Sequence, residues 1–210
     1  MIHLLIIDDH VVVRDGVKRL AEEQLGATVI GEASTAQEAL QRVREAHWDV
    51  AVLDISLGAR NGLEVVKELQ QLRPSLPILI LSMHAEEQYA RRAFKAGAAG
   101  YITKDSSRAE LVTALTKVLH GGKYVSPRFA EQLVVDLERG TDHPRHEGLS
   151  AREFEVMRLI ASGKTVSQIA EVLSLSDKTI STYRARILEK MHLKTNAELT
   201  HYALQNKLVN

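Results

Sequence analysis

The 210-residue sequence contains no cysteine, few aromatic residues and no excess of either charge. Without cysteine, the chain can form neither a disulfide nor a cysteine-ligated zinc site. Its N-terminus has only a short apolar run before two acidic residues, whereas a membrane-spanning helix needs about 20 apolar residues. A glycine-rich phosphate loop is also missing. We therefore expect a cytoplasmic protein with no membrane partner and a core built mainly from Val, Ile, Leu and Ala.

Short apolar runs alternate with helical patterns through the first 120 residues. The runs have the length and composition of buried parallel strands. Stripes between them, such as Val13, Val17 and Leu20, predict helices that cover a sheet on both faces. Right-handed crossovers then favour a doubly wound, five-stranded parallel α/β fold, whose ligands bind at the carboxyl ends of the strands. The predicted strands are His3–Ile7, Thr28–Glu32, Val50–Leu53, Ile78–Leu81 and Gly100–Thr103.

A change of pattern divides the chain into two predicted domains. Residues 1–122 form the α/β domain. Residues 123–147 are predicted to be a linker with one helix, from Pro127 to Arg139, followed by a polar stretch that contains glycine and proline. Residues 148–210 carry helix signals only, so we expect a small all-α domain there.

Start and stop signals mark the helices of the C-terminal domain. Ser150 with Glu153, and Thr195 with Glu198, have the spacing of capping boxes. Gly163 stands where a helix C-cap would lie. These signals predict short helices that begin just after residues 150 and 195.

Acidic side chains follow two of the predicted strands. Asp8 and Asp9 come after the first strand and Asp54 after the third, and these strands are neighbours in a doubly wound sheet. Carboxylates gathered at one sheet edge would repel one another, and a hard divalent cation such as Mg²⁺ relieves this repulsion. Lys104 follows the fifth strand and Ser82 the fourth, adding a positive charge and a hydroxyl. Strands often end in polar residues, but four such ends together indicate a phosphate site.

Asp54 is the best candidate nucleophile of this site. It follows a central buried strand alone, whereas Asp8 and Asp9 are paired and suit metal binding. A carboxylate can attack phosphorus and form an aspartyl phosphate. Mg²⁺ would screen the incoming phosphoryl group, whose charge would develop against Lys104.

Four motifs occur in order around these residues: Ile7-Asp8-Asp9-His10, Leu53-Asp54-Ile55, Leu81-Ser82-Met83-His84 and Gly100-Tyr101-Ile102-Thr103-Lys104-Asp105. With them, residues 1–120 resemble the receiver domain of two-component response regulators. The resemblance implies that Asp54 accepts a phosphoryl group from a sensor histidine kinase. It implies a switch pair, Ser82 and Tyr101, and a phosphoryl contact from Lys104. The implied Mg²⁺ ligands are Asp8, Asp9, Asp54 and the backbone carbonyl of Ser56.

One position departs from the receiver pattern. The family usually has proline four residues after the phosphoacceptor, and this chain has Gly58. We therefore expect a more flexible stretch from Leu57 to Gly62, without loss of any reactive group.

Residues 165–191 show the pattern of a helix, a short turn and a second helix, with Ser176 as a cap of the second. A helix with small polar side chains in its amino-terminal half can enter the major groove, while Lys and Arg around it meet phosphates. A solvated helix face is the alternative explanation of these charges. The stripe predicted to be buried is Ile180, Tyr183, Ile187 and Met191, and the opposite face carries Lys178, Thr182, Ala185 and Glu189, flanked by Ser181 and Arg186.

The C-terminal motifs are Leu149–Val156, Gly163–Thr165, Ile169-Ala170, Lys178–Arg184, Lys190-Met191 and Asn196–Leu199. They resemble the LuxR-type helix-turn-helix output domain of NarL/FixJ response regulators. Tyr183 stands where that family more often has histidine, and both residues fit a partly buried aromatic position. The resemblance implies a homodimer on promoter double-stranded DNA, with the helix from Asn196 as dimerisation helix and RNA polymerase as a further candidate partner. By that match, Ser181, Thr182 and Ala185 face base edges, and Lys178, Thr179, Arg184 and Arg186 contact the DNA backbone.

Two other functions are alternatives to that of a phosphorylation-controlled DNA-binding regulator. Phosphohydrolases that form an aspartyl phosphate commonly place a second Asp two residues after the nucleophile, where this chain has Ser56, so we expect no enzyme. A pure phosphoryl-transfer or protein-binding module, whose C-terminal helices serve only association, would lack DNA binding with steep salt dependence. The nine histidines, including His10 and His84, are dispersed, and we predict no zinc or iron site.

Overall fold

The computed structural model describes residues 1–58, 60–138 and 144–209. The chain forms two compact units, Met1–Glu138 and Arg139–Asn210. Within the described ranges, no helix has the length and apolar character needed to cross a membrane.

A parallel five-stranded sheet forms the centre of the first unit. Its strand order, β2-β1-β3-β4-β5, is that of a doubly wound fold, so the predicted fold class is confirmed. The observed strands match the predicted ones to within one residue at either end. They are β1 (Ile2–Ile7), β2 (Ala27–Ala33), β3 (Val50–Leu53), β4 (Ile78–Ser82) and β5 (Gly100–Thr103).

Helices cover both faces of this sheet, because successive side chains of each strand point to opposite sides. Leu4 and Ile6 of β1 pack in one apolar cluster with Val17 of α1 and Leu115 of α5. Helices α2, α3 and α4 pack in sequence along the other face. The helices are α1 (Val11–Leu25), α2 (Ala36–Glu45), α3 (Gly62–Leu72), α4 (Glu86–Ala96), α5 (Arg108–Leu119) and α6 (Pro127–Glu138).

A short antiparallel hairpin, Ser56–Leu57 with Arg60–Asn61, follows β3 and was not predicted. Strands of two residues are too short to show alternation in a sequence. Gly58 in this hairpin has a φ of 53°, which is a left-handed conformation. Proline cannot adopt this conformation, because the proline ring holds φ at about −65°. Glycine at this position can therefore adopt the backbone conformation that is observed in the hairpin.

The chain leaves the sheet beside β5. The backbone N–H of Tyr101 donates to the carbonyl of Tyr124 (3.1 Å), and the N–H of Tyr124 donates to the carbonyl of Ala99 (3.0 Å). Two residues later, Ser126 donates its backbone N–H (2.9 Å) and its hydroxyl to the carboxylate of Glu86, at the start of α4. These bonds fix the entry to α6 against β5 and α4.

Burial raises the pKa of Glu86 above its ordinary value, while hydrogen bonds from Ser126 oppose this shift. The stability of the first unit should therefore depend on the ionisation of Glu86. The protonated Glu86 carboxyl makes its full contribution to the free energy of unfolding below the unfolded-state pKa. This contribution is lost as the pH rises through the higher folded-state pKa. Glu86→Gln removes the charge and can keep both hydrogen bonds. As the pH rises from about 4.5 to about 7, we expect the variant to gain a few tenths to about 1 kcal/mol relative to the wild type.

Urea unfolding at several pH values, followed by fluorescence of the single tryptophan, Trp48, measures this difference. Trp48 is buried in the first unit and reports on that unit. Glu87→Gln, at an exposed neighbouring position, changes the net charge equally and is the control. The same pH dependence in both variants would contradict the role given to Glu86.

The second unit is all-α, as predicted. Helix α7 packs against α9 and α10, and α9 also packs against α8. Between α8 and α9 lies a three-residue turn that starts at Ser174, whose φ of 51° ends α8 in the left-handed conformation. This is a helix-turn-helix. The helices are α7 (Ala151–Ala161), α8 (Val166–Leu173), α9 (Asp177–Lys190) and α10 (Asn196–Gln205).

Capping follows the sequence signals in part. Ser150 and Glu153 form the predicted capping box, and Ser176 caps α9 through the backbone N–H of Thr179 (3.1 Å). The second predicted box is half wrong: Thr195 accepts from the N–H of Glu198, but the Glu198 carboxylate accepts from the N–H of Lys194 instead. An unpredicted box, formed by Thr165 and Gln168, starts α8.

The predicted polar stretch before this unit is described only in part. Residues 139–143 lie outside the described residues, and Arg145–Gly148 form a 3₁₀ turn. Arg145 donates to the carbonyl of Met191 (3.3 Å), and His146 Nδ1 lies 3.0 Å from the hydroxyl of Tyr202. The turn is therefore attached to the second unit.

Candidate functional site

The ends of β1, β3 and β5 bring Asp8, Asp54 and Lys104 together. Both carboxylates are only 2% exposed, and Lys104 Nζ lies 2.7 Å from Oδ2 of each. Burial lowers the pKa of Lys104, but hydrogen bonds to Asp54 and Asp8 outweigh it, so the pKa lies above its ordinary value. A buried cation therefore bridges two buried anions at the sheet edge.

Asp9 and His10 extend this group. One side-chain donor atom from each of Asp8, Asp9, His10 and Asp54 lies within 4.8 Å of the others. His10 Nδ1 is 2.7 Å from Asp9 and 3.1 Å from Asp8. The sequence analysis had treated His10 as one of several dispersed histidines, although its position directly after the paired acids was the available signal. Three carboxylates offer the hard oxygen ligands that Mg²⁺ prefers.

Ser56 and Ser82 lie beside the buried carboxylates. The backbone N–H of Ser56 donates to Asp54 Oδ1 (3.1 Å), which fixes the orientation of that carboxylate. Ser82 is fully buried at the end of β4, and its hydroxyl accepts from the N–H of His84 (3.2 Å). The predicted site residues of the first unit are thus placed on one edge of the sheet.

Tyr101 points inward from β5. It is fully buried and its hydroxyl donates to the carbonyl of His84 (2.9 Å). Burial raises the pKa of Tyr101 well above its ordinary value, against an opposing hydrogen bond with the Ser82 side chain. The phenol is therefore neutral, and it connects β5 to the loop that follows β4.

His84 is a site residue that the sequence analysis missed, since it was counted among the dispersed histidines. Its Nε2 lies 3.3 Å from the Ser56 hydroxyl, and its ring stacks on Tyr89 with centroids 4.4 Å apart. With the Tyr101 bond to its carbonyl, His84 joins three segments around the acidic site. Its place two residues after Ser82 in the motif was the only signal.

In the second unit, α9 presents the predicted outward face. Its members Lys178, Thr182, Ala185 and Glu189 are all exposed, as are Ser181 and Arg186. Of the stripe predicted to be buried, Ile180, Ile187 and Met191 are buried. Tyr183 is only half-buried, which is wrong for the stripe but agrees with the partly buried aromatic position that the family match implies. At about 100° per residue, Tyr183 lies about 60° from Ile180 and thus at the edge of the stripe.

An open cavity of about 290 Å³ lies beside α9, lined by Ser176, Lys178, Thr179, Thr182, Tyr183 and Arg186. Arg184 is half-buried and donates through Nε to the side chain of Asn196 (2.7 Å), which ties α9 to α10. The cavity combines two cationic side chains with several hydroxyls, a set of groups suited to a polyanion.

Both units match known protein families. Residues 4–116 match the response regulator receiver domain, and residues 147–203 match the bacterial regulatory proteins of the luxR family. The chain is 34% identical over 211 residues to the response regulators UvrY of Escherichia coli K12 and GacA of Pseudomonas aeruginosa. These alignments cover the whole chain and 97% and 99% of the relatives.

The fold is also similar to that of RcsB from Salmonella enterica serovar Typhimurium, determined on promoter DNA with the phosphomimetic BeF₃⁻. The TM-score is 0.66 at 24% identity, covering 96% of this chain and 97% of RcsB. A receiver domain followed by a LuxR-type helix-turn-helix defines a class of two-component response regulators. The chain belongs to the NarL/FixJ family of this class. It is a phosphorylation-dependent transcription regulator.

Proposed function

We propose that Asp54 accepts a phosphoryl group from a sensor histidine kinase in the cytoplasm, and that this promotes dimerisation and binding to promoter DNA. The observation that carries the proposal is the position of Lys104 Nζ, 2.7 Å from both Asp54 and Asp8. A nucleophile and a fixed positive charge are thereby preorganised at one point, as phosphoryl transfer requires. The protein serves as acceptor and regulator and not as an enzyme for external substrates.

In the transfer step, an oxygen of Asp54 attacks phosphorus and forms a new O–P bond while the P–N bond to the donor histidine breaks. The N–H of Ser56 holds the other carboxylate oxygen, which leaves Oδ2 on the side of Lys104. Lys104 then neutralises charge on the phosphoryl oxygens. Its raised pKa keeps it protonated throughout.

We assign Mg²⁺ to Asp8, Asp9 and Asp54, with the backbone carbonyl of Ser56 as a further ligand. The cluster of carboxylate oxygens supports this, because hard oxygen donors suit Mg²⁺ better than softer metals. When bound, Mg²⁺ supplies further neutralisation of phosphoryl charge. His10 contacts two of these carboxylates and would orient them.

The switch pair, Ser82 and Tyr101, would transmit phosphorylation. Ser82 would turn its hydroxyl toward the new phosphoryl oxygens and release its bond to the N–H of His84. Tyr101 keeps its inward position through the carbonyl of the same histidine. The pair thus biases the loop after β4, and through Glu86 and Ser126 the entry to α6.

The DNA contacts are assigned to α9. Ser181, Thr182 and Ala185 would face base edges in the major groove, since all three are exposed on one side of the helix. Arg184 would use its terminal nitrogen atoms, because Nε is held by Asn196. The remaining backbone contacts are assigned to Lys178, Thr179 and Arg186.

Dimerisation through α10 would place two recognition helices on adjacent half-sites. The outward side of α10 carries Ala197, His201 and Leu204, and Leu204 is 51% exposed. RNA polymerase remains a candidate partner of the DNA-bound dimer.

Selection of genomic fragments by the immobilised protein, with and without acetyl phosphate, tests this function. We expect a small set of fragments to be enriched when the protein is phosphorylated, and much less enrichment by Asp54→Asn under the same conditions. Retention of no DNA in either state would favour the protein-binding module instead. Enrichment that is the same in both states and in the variant would remove the control by phosphorylation.

A further inference from the structure

We propose that Tyr183 is a DNA-phosphate ligand, whose hydroxyl donates to a phosphate oxygen in the cavity beside α9. This inference rests on the proposed function, because it names a further group in the same DNA-binding surface. The sequence had placed Tyr183 in the buried stripe, so it was not among the predicted DNA contacts. The structure instead places it half-buried at the edge of that stripe, in the wall of the cavity.

The cationic side chains that line the cavity favour binding of an anion. Lys178 and Arg186 are exposed on its wall, and within the described residues neither has an ion pair. Tyr183 lies between them along α9, so all three groups border one space of about 290 Å³. A DNA strand that passes along the exposed face of α9 would present its phosphates to this space.

The hydrogen bonds of the cavity wall distinguish Tyr183 from the other hydroxyls. Ser176 and Thr179 share a hydrogen bond of 2.8 Å, and Thr182 donates to the carbonyl of Lys178 at 2.9 Å. Among the described residues, the Tyr183 hydroxyl has no hydrogen-bond partner. Its O–H donor is therefore open to a ligand.

The placement of the ring suits this role. A tyrosine can bury its apolar ring and keep its hydroxyl in solvent. The ring of Tyr183 lies next to the buried stripe of α9, and only two torsion angles are lost on immobilisation. Few degrees of freedom of this side chain would thus be lost when DNA binds, which lowers the entropic cost of the contact.

The test uses Tyr183→Phe in the full chain, phosphorylated with acetyl phosphate and Mg²⁺. A fluorescent DNA duplex of arbitrary sequence is a sufficient probe, because phosphate contacts do not depend on sequence. Anisotropy titrations are done at several KCl concentrations. We expect binding to weaken about three- to tenfold at each concentration, with an unchanged slope of log affinity against log salt, since a neutral donor releases no counterion.

Lys178→Gln is the matched control on the same cavity wall. It should weaken binding and reduce the salt slope by about one. Unchanged affinity of Tyr183→Phe would overturn the inference, because phenylalanine keeps the ring and a purely structural role would survive. A reduced slope in Tyr183→Phe would also overturn it, since the ring would then act by positioning a cation. If the unsubstituted protein bound no duplex at all, the proposed function itself would fail.

Discussion

Asp54→Asn is expected to abolish phosphorylation of this protein. With acetyl phosphate and Mg²⁺, the wild type should gain one phosphoryl group, and the variant none, because a carboxamide cannot replace the attacking carboxylate. The fold should be kept, since asparagine is nearly isosteric and its side-chain oxygen can still accept from Ser56 or Lys104. Intact mass measurement before and after incubation decides the result, and omission of Mg²⁺ should abolish the gain in the wild type as well.

Asp105→Asn makes the same chemical change at an exposed position next to Lys104 and should be phosphorylated like the wild type. A phosphoryl group on Asp54→Asn at the wild-type level would show that another residue is the acceptor. Equal loss in both variants would attribute the defect to the loop after β5 and not to the acceptor.

Lys104→Met is expected to destabilise the first unit by about 3–5 kcal/mol when no divalent cation is present. The substitution removes the cation that lies 2.7 Å from both Asp8 and Asp54, and these carboxylates are only 2% exposed. They would then repel each other, with no lysine between them, in a region that solvent hardly reaches. Urea unfolding followed by Trp48 fluorescence at about pH 7 measures the loss, because Trp48 lies in this unit.

Addition of Mg²⁺ should stabilise Lys104→Met more than the wild type, since the cation would take over the compensation of charge. Lys67→Met removes an exposed lysine of α3 and should change stability by no more than about 0.5 kcal/mol. Adding Asp8→Asn to Lys104→Met should recover part of the lost stability, as expected of residues in contact. If Lys104→Met were as stable as Lys67→Met without Mg²⁺, the three residues would not form the charge-compensated group described above.

Hydrogen bonds connect the proposed switch pair to the start of α6. Ser82 and Tyr101 both bond to the backbone of His84, and Glu86 follows two residues later. Because Glu86 holds Ser126, a shift of this loop would reach the start of α6 through two hydrogen bonds. This connection would give the proposed switch a physical path that the sequence motifs alone do not describe.

Sequence patterns determined the sheet and the main reactive groups. Buried parallel strands must be short and apolar on both faces, so β3 and β5 could be predicted to the residue. Since the carboxyl ends of such strands meet at one edge, Asp8, Asp54 and Lys104 could be predicted to meet as well. The helix-turn-helix followed equally from local signals, because caps and apolar periodicity act within a few residues.

Contacts between segments distant in sequence were decided only by the tertiary structure. His84 acquires its role from Ser56, Tyr89 and Tyr101, and no local pattern encodes where loops of neighbouring strands meet. Tyr183 is less buried than its place in the apolar stripe of α9 predicts, because it lies at the edge of that stripe. The packing of other helices decides how much of such an edge residue is covered. Periodicity thus fixes the direction in which a side chain points, whereas its burial and its partners depend on the surfaces that the rest of the chain brings against it.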